Sequence, residues 1–375
     1  MAKDTMGAEP LLRAAVESGA QSLLIKAGDV FRARVHGRMV RLSETPFTPE
    51  DTRRIALQIL PEEHRERIDQ ITDYDFAWEL SPSARFRVNI LRQQGSIMVV
   101  MRVIPWEVPT IDDLGLPQAL KDIADLDNGL VLVTGATGSG KSTTQAAMLG
   151  WINRNRRKHI VTLEDPIEYR HRNELSTVTQ REVGADTASF RVGLRHALRQ
   201  DPDAILIGEM RDAETIVIAM EAAETGQLVI STFHAPTAIA TLGHFMAMFP
   251  GDNEELVRQR VSESLRAIVS QRLLLRKDGQ GRVPVVEVLR LTGAVQEAIL
   301  RAESQSEIRR LMQQGDQYGM QTFDQHLMKL VRADIMDYDV AKAAATSPSD
   351  FELVMQTLSS EEEGGGPAPG EGPLF

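Results

Sequence analysis

The fold of this chain is decided by the stretch Gly135-Ala136-Thr137-Gly138-Ser139-Gly140-Lys141-Ser142. It fits the pattern G-x-x-x-x-G-K-[ST] at every fixed position. Glycines let successive backbone N–H groups surround a phosphate, the lysine reaches the β- and γ-phosphates, and the serine hydroxyl coordinates Mg²⁺. The sequence therefore predicts a phosphate-binding loop for a nucleoside triphosphate, with Thr143 extending the set of nucleotide-binding residues.

The residues on either side of the loop support this prediction. Residues 130–134 are apolar and predict a buried strand that enters the loop, and residues 143–149 predict a helix that leaves it. The N-terminus of such a helix faces the bound anion and stabilises it. A glycine-rich turn that ends in Lys-Ser by chance is the alternative, and the strand–loop–helix context disfavours it.

The composition is that of an ordinary globular protein, with 42% hydrophobic and 25% charged residues. Its 375 residues predict two or three domains. No apolar run reaches the roughly 18 residues of a membrane span, and the N-terminus lacks a signal-peptide core, so we expect a cytoplasmic protein. The absence of cysteine excludes disulfides and thiolate zinc sites. The formal net charge of −11 disfavours a nucleic-acid motor.

Changes of pattern along the chain predict an α/β protein with four parts. Residues 1–105 are expected to form a small α+β domain, and the proline-containing residues 106–116 a linker. Residues 117–358 are expected to form a second domain, in which strands at 130–133, 159–163, 204–207 and 228–231 alternate with helices. After Gln271 we expect mostly helix, and the acidic, glycine-rich tail 359–375 is expected to be disordered.

Two local patterns refine the expectation for the first part. Thr48-Pro49-Glu50-Asp51 has the sequence of a capping box with proline at the first helical position, so a helix is expected from there to Pro61. Three strands are expected over residues 74–80, 85–91 and 97–104, and turns at Gly28-Asp29 and His36-Gly37.

Polar residues follow three of the predicted strands of the second domain. Glu164 follows residues 159–163, Glu209 follows residues 204–207 together with Gly208, and His234 follows the strand that begins at residue 228. Ligands of open α/β sheets bind at the carboxyl ends of the strands. If the strands are parallel neighbours, all three side chains converge on the edge that holds the phosphate loop.

Phosphoryl transfer needs positioning, charge neutralisation and an oriented water, and these needs suggest roles. We assign Glu209 to orient or deprotonate the attacking water, and Glu164, supported by Asp165, to hold Mg²⁺ through water. The alternative for Glu209 is an ordinary capping acid at a strand end, and the alternative for Glu164 is an N-cap or a loop salt bridge. His234 is either a contact to the γ-phosphate or a structural histidine.

Arginines on the first domain are candidates for stabilising charge on the transferred phosphoryl group, a role that a neighbouring subunit often supplies. The alternation of residues 85–91 places Arg85 and Arg87 on one face of a strand and apolar residues on the other. Arg102, on the next strand, is the third candidate. Arginines that only improve solubility are the alternative.

Several long motifs resemble the type IV pilus retraction ATPases, the PilT/PilU group of the secretion-ATPase superfamily. Besides the phosphate loop, they are Glu164-Asp165-Pro166-Ile167-Glu168-Tyr169, Gln180-Arg181-Glu182-Val183-Gly184, Leu198-Arg199-Gln200-Asp201-Pro202-Asp203, Gly208-Glu209-Met210-Arg211-Asp212, Ala223-Glu224-Thr225-Gly226 and Gly319-Met320-Gln321-Thr322-Phe323-Asp324-Gln325. The resemblance covers essentially residues 8–358.

The resemblance implies a homohexameric motor that hydrolyses ATP with Mg²⁺. It implies an N-terminal PAS-like domain and a C-terminal RecA-like P-loop ATPase domain with a helical C-terminal region. Glu164 would belong to the Asp box, Glu209 to Walker B and His234 to the His box, while Arg85, Arg87 and Arg102 would reach the nucleotide. The implied partner is the platform protein of the pilus machine at the inner face of the cytoplasmic membrane, with no nucleic acid.

The sequence also departs from the family pattern. Gln227 stands where retraction ATPases usually carry the first histidine of the His box, and glutamine cannot become cationic. Gly243-His244 replaces an Asp-Arg pair, and residues 294–301 match poorly the helix motif Ala-Ile-Arg-Asn-Leu-Ile-Arg-Glu. We interpret Gln227 as an alteration of the pocket wall opposite the phosphate loop, and all three changes as putting independent retraction in doubt. They favour a PilU-like accessory motor, acting with a paralogous retraction ATPase, or a divergent PilT.

Three other functions stay open at the level of the sequence. A pilus extension or type II secretion ATPase shares the core, but typically has a further N-terminal domain and a four-cysteine metal motif. A nucleotide-binding regulatory subunit with little hydrolysis of its own is the second. A nucleic-acid translocase is the third, and the acidic charge disfavours it.

Overall fold

A computed structural model describes residues 8–35, 38–80, 84–104, 107–249, 253–279 and 281–363. The strands, in chain order, are β1 (Ala20–Lys26), β2 (Arg32–Val35), β3 (Arg38–Arg41), β4 (Asp73–Leu80), β5 (Ala84–Gln93), β6 (Ser96–Ile104), β7 (Gly129–Thr134), β8 (His159–Glu164), β9 (Thr177–Glu182), β10 (Ala204–Ile207), β11 (Leu228–Phe233), β12 (Leu265–Leu275) and β13 (Arg282–Arg290). The protein is thus of mixed α/β class, as predicted.

The helices, in chain order, are α1 (Ala8–Glu17), α2 (Pro49–Ile59), α3 (Glu62–Arg65), α4 (Ala119–Ala124), α5 (Lys141–Asn155), α6 (Phe190–Ala197), α7 (Ala213–Glu224), α8 (Ala238–Ala247), α9 (Glu254–Ser264), α10 (Gly293–Leu300), α11 (Gln305–Gln313), α12 (Phe323–Arg332), α13 (Tyr338–Ala344) and α14 (Pro348–Glu363). In the described part of the chain, no helix is long and apolar enough to span a membrane.

The chain forms two compact units. The first contains Met1–Thr110, Ser142–Met210 and Glu214–Ala219, and the second contains Ile111–Lys141, Arg211–Ala213 and Met220–Phe375. This grouping differs from a linear division of the sequence, because contacts such as the ion pair between Arg85 and Glu182 join the N-terminal sheet to the segment after residue 142. The domain boundaries at 105 and 117 stay predictions.

The first unit contains a six-stranded antiparallel sheet in the order β3-β2-β1-β6-β5-β4. Phe86, Val88 and Ile90 of β5 are buried in its core, as their alternation predicts. Helix α2 begins with the predicted capping box: Thr48 N donates to the Asp51 carboxylate at 2.9 Å, and Asp51 N donates to the Thr48 hydroxyl at 3.2 Å. These local bonds satisfy backbone donors that the first turn leaves unpaired.

The first unit also contains three parallel strands in the order β10-β8-β9. Strands β8 and β10 match the predictions, since both are short apolar runs that end in polar residues. Strand β9 was not expected, because its residues 177–182 are polar and partly exposed and carry no apolar pattern. In the register of these strands Leu163 lies beside Ile207, and Glu164 lies beside Glu182.

The second unit contains four strands in the order β13-β12-β7-β11. Strands β7 and β11 are fully buried and parallel to each other, which explains their continuous apolar sequence. Strand β12 runs parallel to β7 on its other side and antiparallel to β13. The expectation of mostly helix after Gln271 is therefore wrong up to Arg290. The short apolar run over Val283–Leu289 does not by itself distinguish a buried strand from a helix.

The C-terminal helix is longer than the sequence predicts. Helix α14 continues to Glu363, beyond the predicted end at Leu358, and disorder of the tail stays a prediction. Its glutamates are good helix formers, which continue a helix that has already started. Residues 364–375, the predicted turn at His36-Gly37 and the first linker residues, Pro105 and Trp106, lie outside the described residues.

Candidate nucleotide site

The phosphate loop lies between the carboxyl end of β7 and the start of α5. Gly135, Gly138 and Gly140 have φ angles of 142°, 79° and 92°, a region that favours glycine. A Cβ on Gly135 would lie 2.4 Å from the backbone oxygen of Gln271, so only glycine fits there. The Nζ of Lys141 donates to the carbonyl oxygens of Gly135 and Ala136, at 3.0 and 3.1 Å. The Lys141 side chain thus lies across the loop and contacts its first two residues.

Strand β12 supports this loop from the side. The side-chain amide of Gln271 donates to the carbonyl oxygen of Ser139 at 2.7 Å, and both residues are buried. One residue earlier, the Ser270 and Thr134 hydroxyls lie 2.7 Å apart, and the Thr241 hydroxyl donates to that of Thr134 at 3.1 Å. Buried hydrogen bonds therefore connect the entrance of the loop to two neighbouring elements.

His234 lies at the same edge of the second unit as the phosphate loop. It directly follows β11, and Phe233 lies beside Thr134 in the register of β11 with β7. The His234 residue is exposed. The structure therefore places His234 and the loop at the carboxyl ends of neighbouring parallel strands, as the sequence predicts.

The segment that follows His234 is anchored by a buried carboxylate. Glu287 of β13, only 2% exposed, accepts a 2.6 Å hydrogen bond from the backbone N of Ala238, the first residue of α8. The Thr237 hydroxyl caps the same helix by accepting from Ala240 N. Burial raises the pKa of Glu287, while the hydrogen bond from Ala238 lowers it. A carboxylate also suits a helix N-terminus electrostatically.

Glu164 and Glu209 come together in the first unit. They lie at the ends of β8 and β10, which are parallel neighbours, and both are partly buried. Gly208 N donates to Leu163 O at 2.8 Å, and a Cβ on Gly208 would lie 3.5 Å from the Cα of Glu164. The residue before Glu209 therefore lies against the backbone of Glu164, and the convergence of both side chains on the phosphate loop stays a prediction.

The Glu164 carboxylate is held by two polar neighbours. The Thr162 hydroxyl donates to Glu164 Oε1 at 2.6 Å, and the Gln180 side-chain amide donates to the same atom at 3.1 Å. Burial raises the pKa of Glu164 to about 6, although these hydrogen bonds act in the opposite direction. The carboxyl group therefore titrates much closer to neutrality than an exposed glutamate.

Thr143 contacts the segment that follows Glu164. Its hydroxyl lies 3.0 Å from the Tyr169 hydroxyl, which connects the first turn of α5 to residues 164–169. Burial raises the pKa of Tyr169, and the positive charge of Arg102 lowers it. Thr143 and the Arg102 charge therefore both act on the Tyr169 hydroxyl.

Arg85 is buried, although its position on the same strand face as Arg87 predicts that it lies on a polar surface. It is 8% exposed, and its guanidinium lies 3.3 Å from the Glu182 carboxylate and 3.8 Å from that of Glu79. Glu182 also accepts from Ile167 N at 3.0 Å. Strand β9, distant in the sequence, supplies a carboxylate that pairs with this arginine within the same chain.

Arg87 and Arg102 lie directly opposite each other on β5 and β6. Arg87 is partly exposed, 3.9 Å from the Asp75 carboxylate, and Arg102 is exposed. Two like charges at paired positions repel each other, so this register carries an electrostatic cost. Both arginines remain candidates for contacting an anion.

Gln227 does not alter the wall of the phosphate site, so that interpretation is wrong within the second unit. It precedes β11, and its carbonyl accepts from Gly129 N at the amino end of β7. The phosphate loop and His234 lie at the other end of these two strands. Its side chain instead accepts a 2.9 Å hydrogen bond from the Thr225 hydroxyl. Gln227 and His234 therefore lie at opposite ends of β11.

Sequence reasoning missed three polar residues that shape these regions, namely Gln271, Glu287 and Glu182. Gln271 and Glu287 each stand within a buried strand, where an isolated polar side chain needs a hydrogen-bond partner. That anomaly was the available signal. Glu182 lies in a strand without an apolar pattern, but it belongs to the motif Gln180-Arg181-Glu182-Val183-Gly184, which was the signal there.

Most of this chain matches one family and several named relatives. The family described as Type II/IV secretion system protein matches residues 10–336. The Type IV pilus ATPase PilU of Pseudomonas aeruginosa is 41% identical over 355 residues, 95% of this chain and 92% of PilU. A crystal structure of the pilus retraction motor PilT with bound ADP has a TM-score of 0.85 at 39% identity, covering 93% of this chain and 100% of that chain.

A secretion relative matches far less of the chain. The Type II secretion system protein E of Klebsiella pneumoniae is 42% identical, but over 51% of this chain and 37% of its own length. Similarity to PilU covers nearly the whole chain, including the N-terminal sheet. Similarity to the secretion protein covers only about half of it.

Proposed function

The chain belongs to the type II/IV secretion system protein family, and on that basis we propose that it is an ATPase that powers retraction of type IV pili. The observation that carries the proposal is the intact phosphate loop with His234 at the same strand edge, in a chain similar to PilU and PilT over nearly its whole length. An N-terminal PAS-like domain and a C-terminal RecA-like ATPase domain are part of this proposal.

The chemistry that we propose follows the roles assigned to these residues from the sequence. The backbone amides of residues 135–143 and the Lys141 ammonium bind the phosphates, and Glu209 orients the attacking water. Ser142, Glu164 and Glu209 offer one hydroxyl and two carboxylates, oxygen ligands that suit Mg²⁺. Mg²⁺ would neutralise charge on the phosphates, with both glutamates acting through water.

His234 and the arginines complete the proposed site. His234 contacts the γ-phosphate, and Arg85, Arg87 and Arg102 stabilise charge on the transferred group, acting from a neighbouring subunit of a homohexamer. Arg85 must first leave Glu182, because that carboxylate holds it in the isolated chain. The motor would be cytoplasmic and would act on the platform protein at the inner face of the membrane.

Phosphate release from the purified protein tests the enzymatic proposal. Lys141→Ala removes the main cation of the loop and should abolish most nucleotide binding, whereas Glu209→Gln should bind ATP with little turnover. Lys121→Ala is the matched control, because Lys121 lies on α4, outside the loop sequence, and forms an ion pair with Asp112. Equal turnover by all four proteins would refute the assigned roles.

Gene deletion tests the cellular role. Loss of pilus retraction after deletion, in a strain that retains any paralogous retraction ATPase, indicates an independent motor. Loss after deletion of the paralogue alone, with weakened retraction after deletion of this gene, indicates a PilU-like accessory role, which the departures at residues 243–244 and 294–301 favour. Normal retraction after deletion of this gene, both alone and together with the paralogue, would refute the proposal.

A further inference from the structure

We infer that Gln271 is a positioning residue for nucleotide binding, which sets the shape of the phosphate loop from the adjacent strand. Three observations meet at this one residue of β12: a side-chain hydrogen bond, a backbone contact and a steric limit. The inference rests on the proposed nucleotide site and names a residue that the loop motif does not contain.

The strand pairing brings Gln271 to the loop. Ser270 of β12 lies beside Thr134, the last residue of β7, in a parallel register. The next residue along β12 therefore lies beside the first residue of the loop. A Cβ on Gly135 would come within 2.4 Å of the Gln271 carbonyl oxygen, which shows how closely the two backbones approach.

The side chain of Gln271 contacts the other end of the loop. Its Nε2 donates to Ser139 O at 2.7 Å, and a Cβ on Gly140 would lie 2.7 Å from the same nitrogen. The Gln271 residue is 3% exposed, so water does not readily replace this bond. One residue thus constrains both the beginning and the end of the loop.

The hydrogen bond has a direct consequence for phosphate binding. The carbonyl and the N–H of one trans peptide unit point in opposite directions. Because Gln271 holds the Ser139 carbonyl towards β12, the Gly140 N–H of the same peptide unit points away from β12. Loops of this kind bind phosphate through such backbone N–H groups. Gln271 therefore fixes one of the donors in its binding orientation before nucleotide arrives.

The test is nucleotide affinity of a variant that keeps the shape of the side chain but not its amide. Gln271→Met should bind ADP about tenfold more weakly than wild type, since a buried carbonyl loses its donor and the loop its fixed orientation. In ATP hydrolysis the same variant should raise KM about tenfold with kcat within about twofold, because it weakens binding before the chemical step.

The chain offers a matched control in Gln321. Its side-chain amide donates to Val286 O at 2.9 Å, and Gln321 is 4% exposed, so Gln321→Met also removes a buried glutamine bond to a strand carbonyl. Urea unfolding should show a similar stability loss for both variants, while only Gln271→Met weakens ADP binding. Unchanged ADP affinity in Gln271→Met, or equal weakening in Gln321→Met, overturns the inference.

A second variant keeps the test decisive if Gln271→Met does not fold. Gln271→Glu preserves the side-chain length, but a carboxylate cannot donate and adds negative charge beside the phosphates. It should bind ADP more weakly than wild type, by tenfold or more; wild-type affinity would overturn the inference. Because the readout is ADP binding, a wild-type protein that binds ADP without releasing phosphate refutes the ATPase proposal alone.

Discussion

The pKa of Glu164 predicts how the stability of the nucleotide-free protein depends on pH. Burial raises this pKa from 4.5 to about 6, so the folded state binds a proton at Glu164 more tightly than the unfolded state. The stabilising contribution is therefore fully present below pH 4.5 and is lost as the pH rises through 6. At about 1.4 kcal/mol for each pKa unit, the loss approaches about 2 kcal/mol.

Glu164→Gln isolates this contribution, because the amide does not titrate. We expect the difference in unfolding free energy between Glu164→Gln and wild type to become about 1.6 kcal/mol more favourable to the variant between pH 4.5, where the unfolded carboxyl is half ionised, and pH 7.5. Urea unfolding without nucleotide or Mg²⁺ is the measurement. Taking the difference removes the titration of all other groups, provided that the substitution leaves them undisturbed.

Thr162→Val provides a second perturbation at the same carboxylate. The Thr162 hydroxyl bond to Glu164 lowers the pKa, so removing it should shift the loss of stability to higher pH. In a Glu164→Gln background the same substitution should leave the pH dependence unchanged. Parallel stability curves for wild type and Glu164→Gln from pH 4.5 to 7.5 would refute the argument from burial.

Two further predictions concern residues whose position the structure redefines. Gln227→His should change ATP turnover by less than about twofold, because Gln227 lies at the strand end away from the phosphate loop; a steady-state assay showing several-fold activation would contradict this placement. Arg87→Ala should lower turnover, and mixing it with Glu209→Gln protein should restore part of it if the arginine acts across a subunit interface. Mixed hexamers with no more activity than the separate variants would exclude action in trans.

The sequence predicts well those features that depend on local chemistry. The phosphate loop follows from fixed glycines and a lysine, and the start of α2 follows from Thr48 and Asp51 together with a proline at the first helical position. The apolar strands β7, β8, β10 and β11 follow from short runs with polar ends. Their parallel pairing then places Glu164 beside Gly208, the residue before Glu209, and His234 beside the loop.

Local sequence patterns do not predict features that depend on contacts between residues distant in the sequence. The alternating strand pattern predicts an exposed Arg85. Its ion pair with Glu182 explains why it is buried, and this partner lies 97 residues away in the sequence. Likewise, Gln227 belongs to a histidine motif in the sequence, but a motif does not reveal that strand β11 separates its two positions. In both cases the sequence identifies the residue and its local pattern, but it does not reveal which residues surround the side chain in the fold.

The phosphate-loop motif is likewise a local pattern, and it does not include the distant residues that hold the loop in one conformation. The motif specifies which backbone amides face a phosphate, but a glycine-rich segment has many conformations of similar energy. Selecting one of them requires contacts from outside the loop, and Gln271 supplies these to Gly135 and Ser139 from β12. A buried polar residue beside a flexible binding loop is thus evidence for preorganisation, because another loop conformation would break its buried hydrogen bond to Ser139 at a cost in free energy.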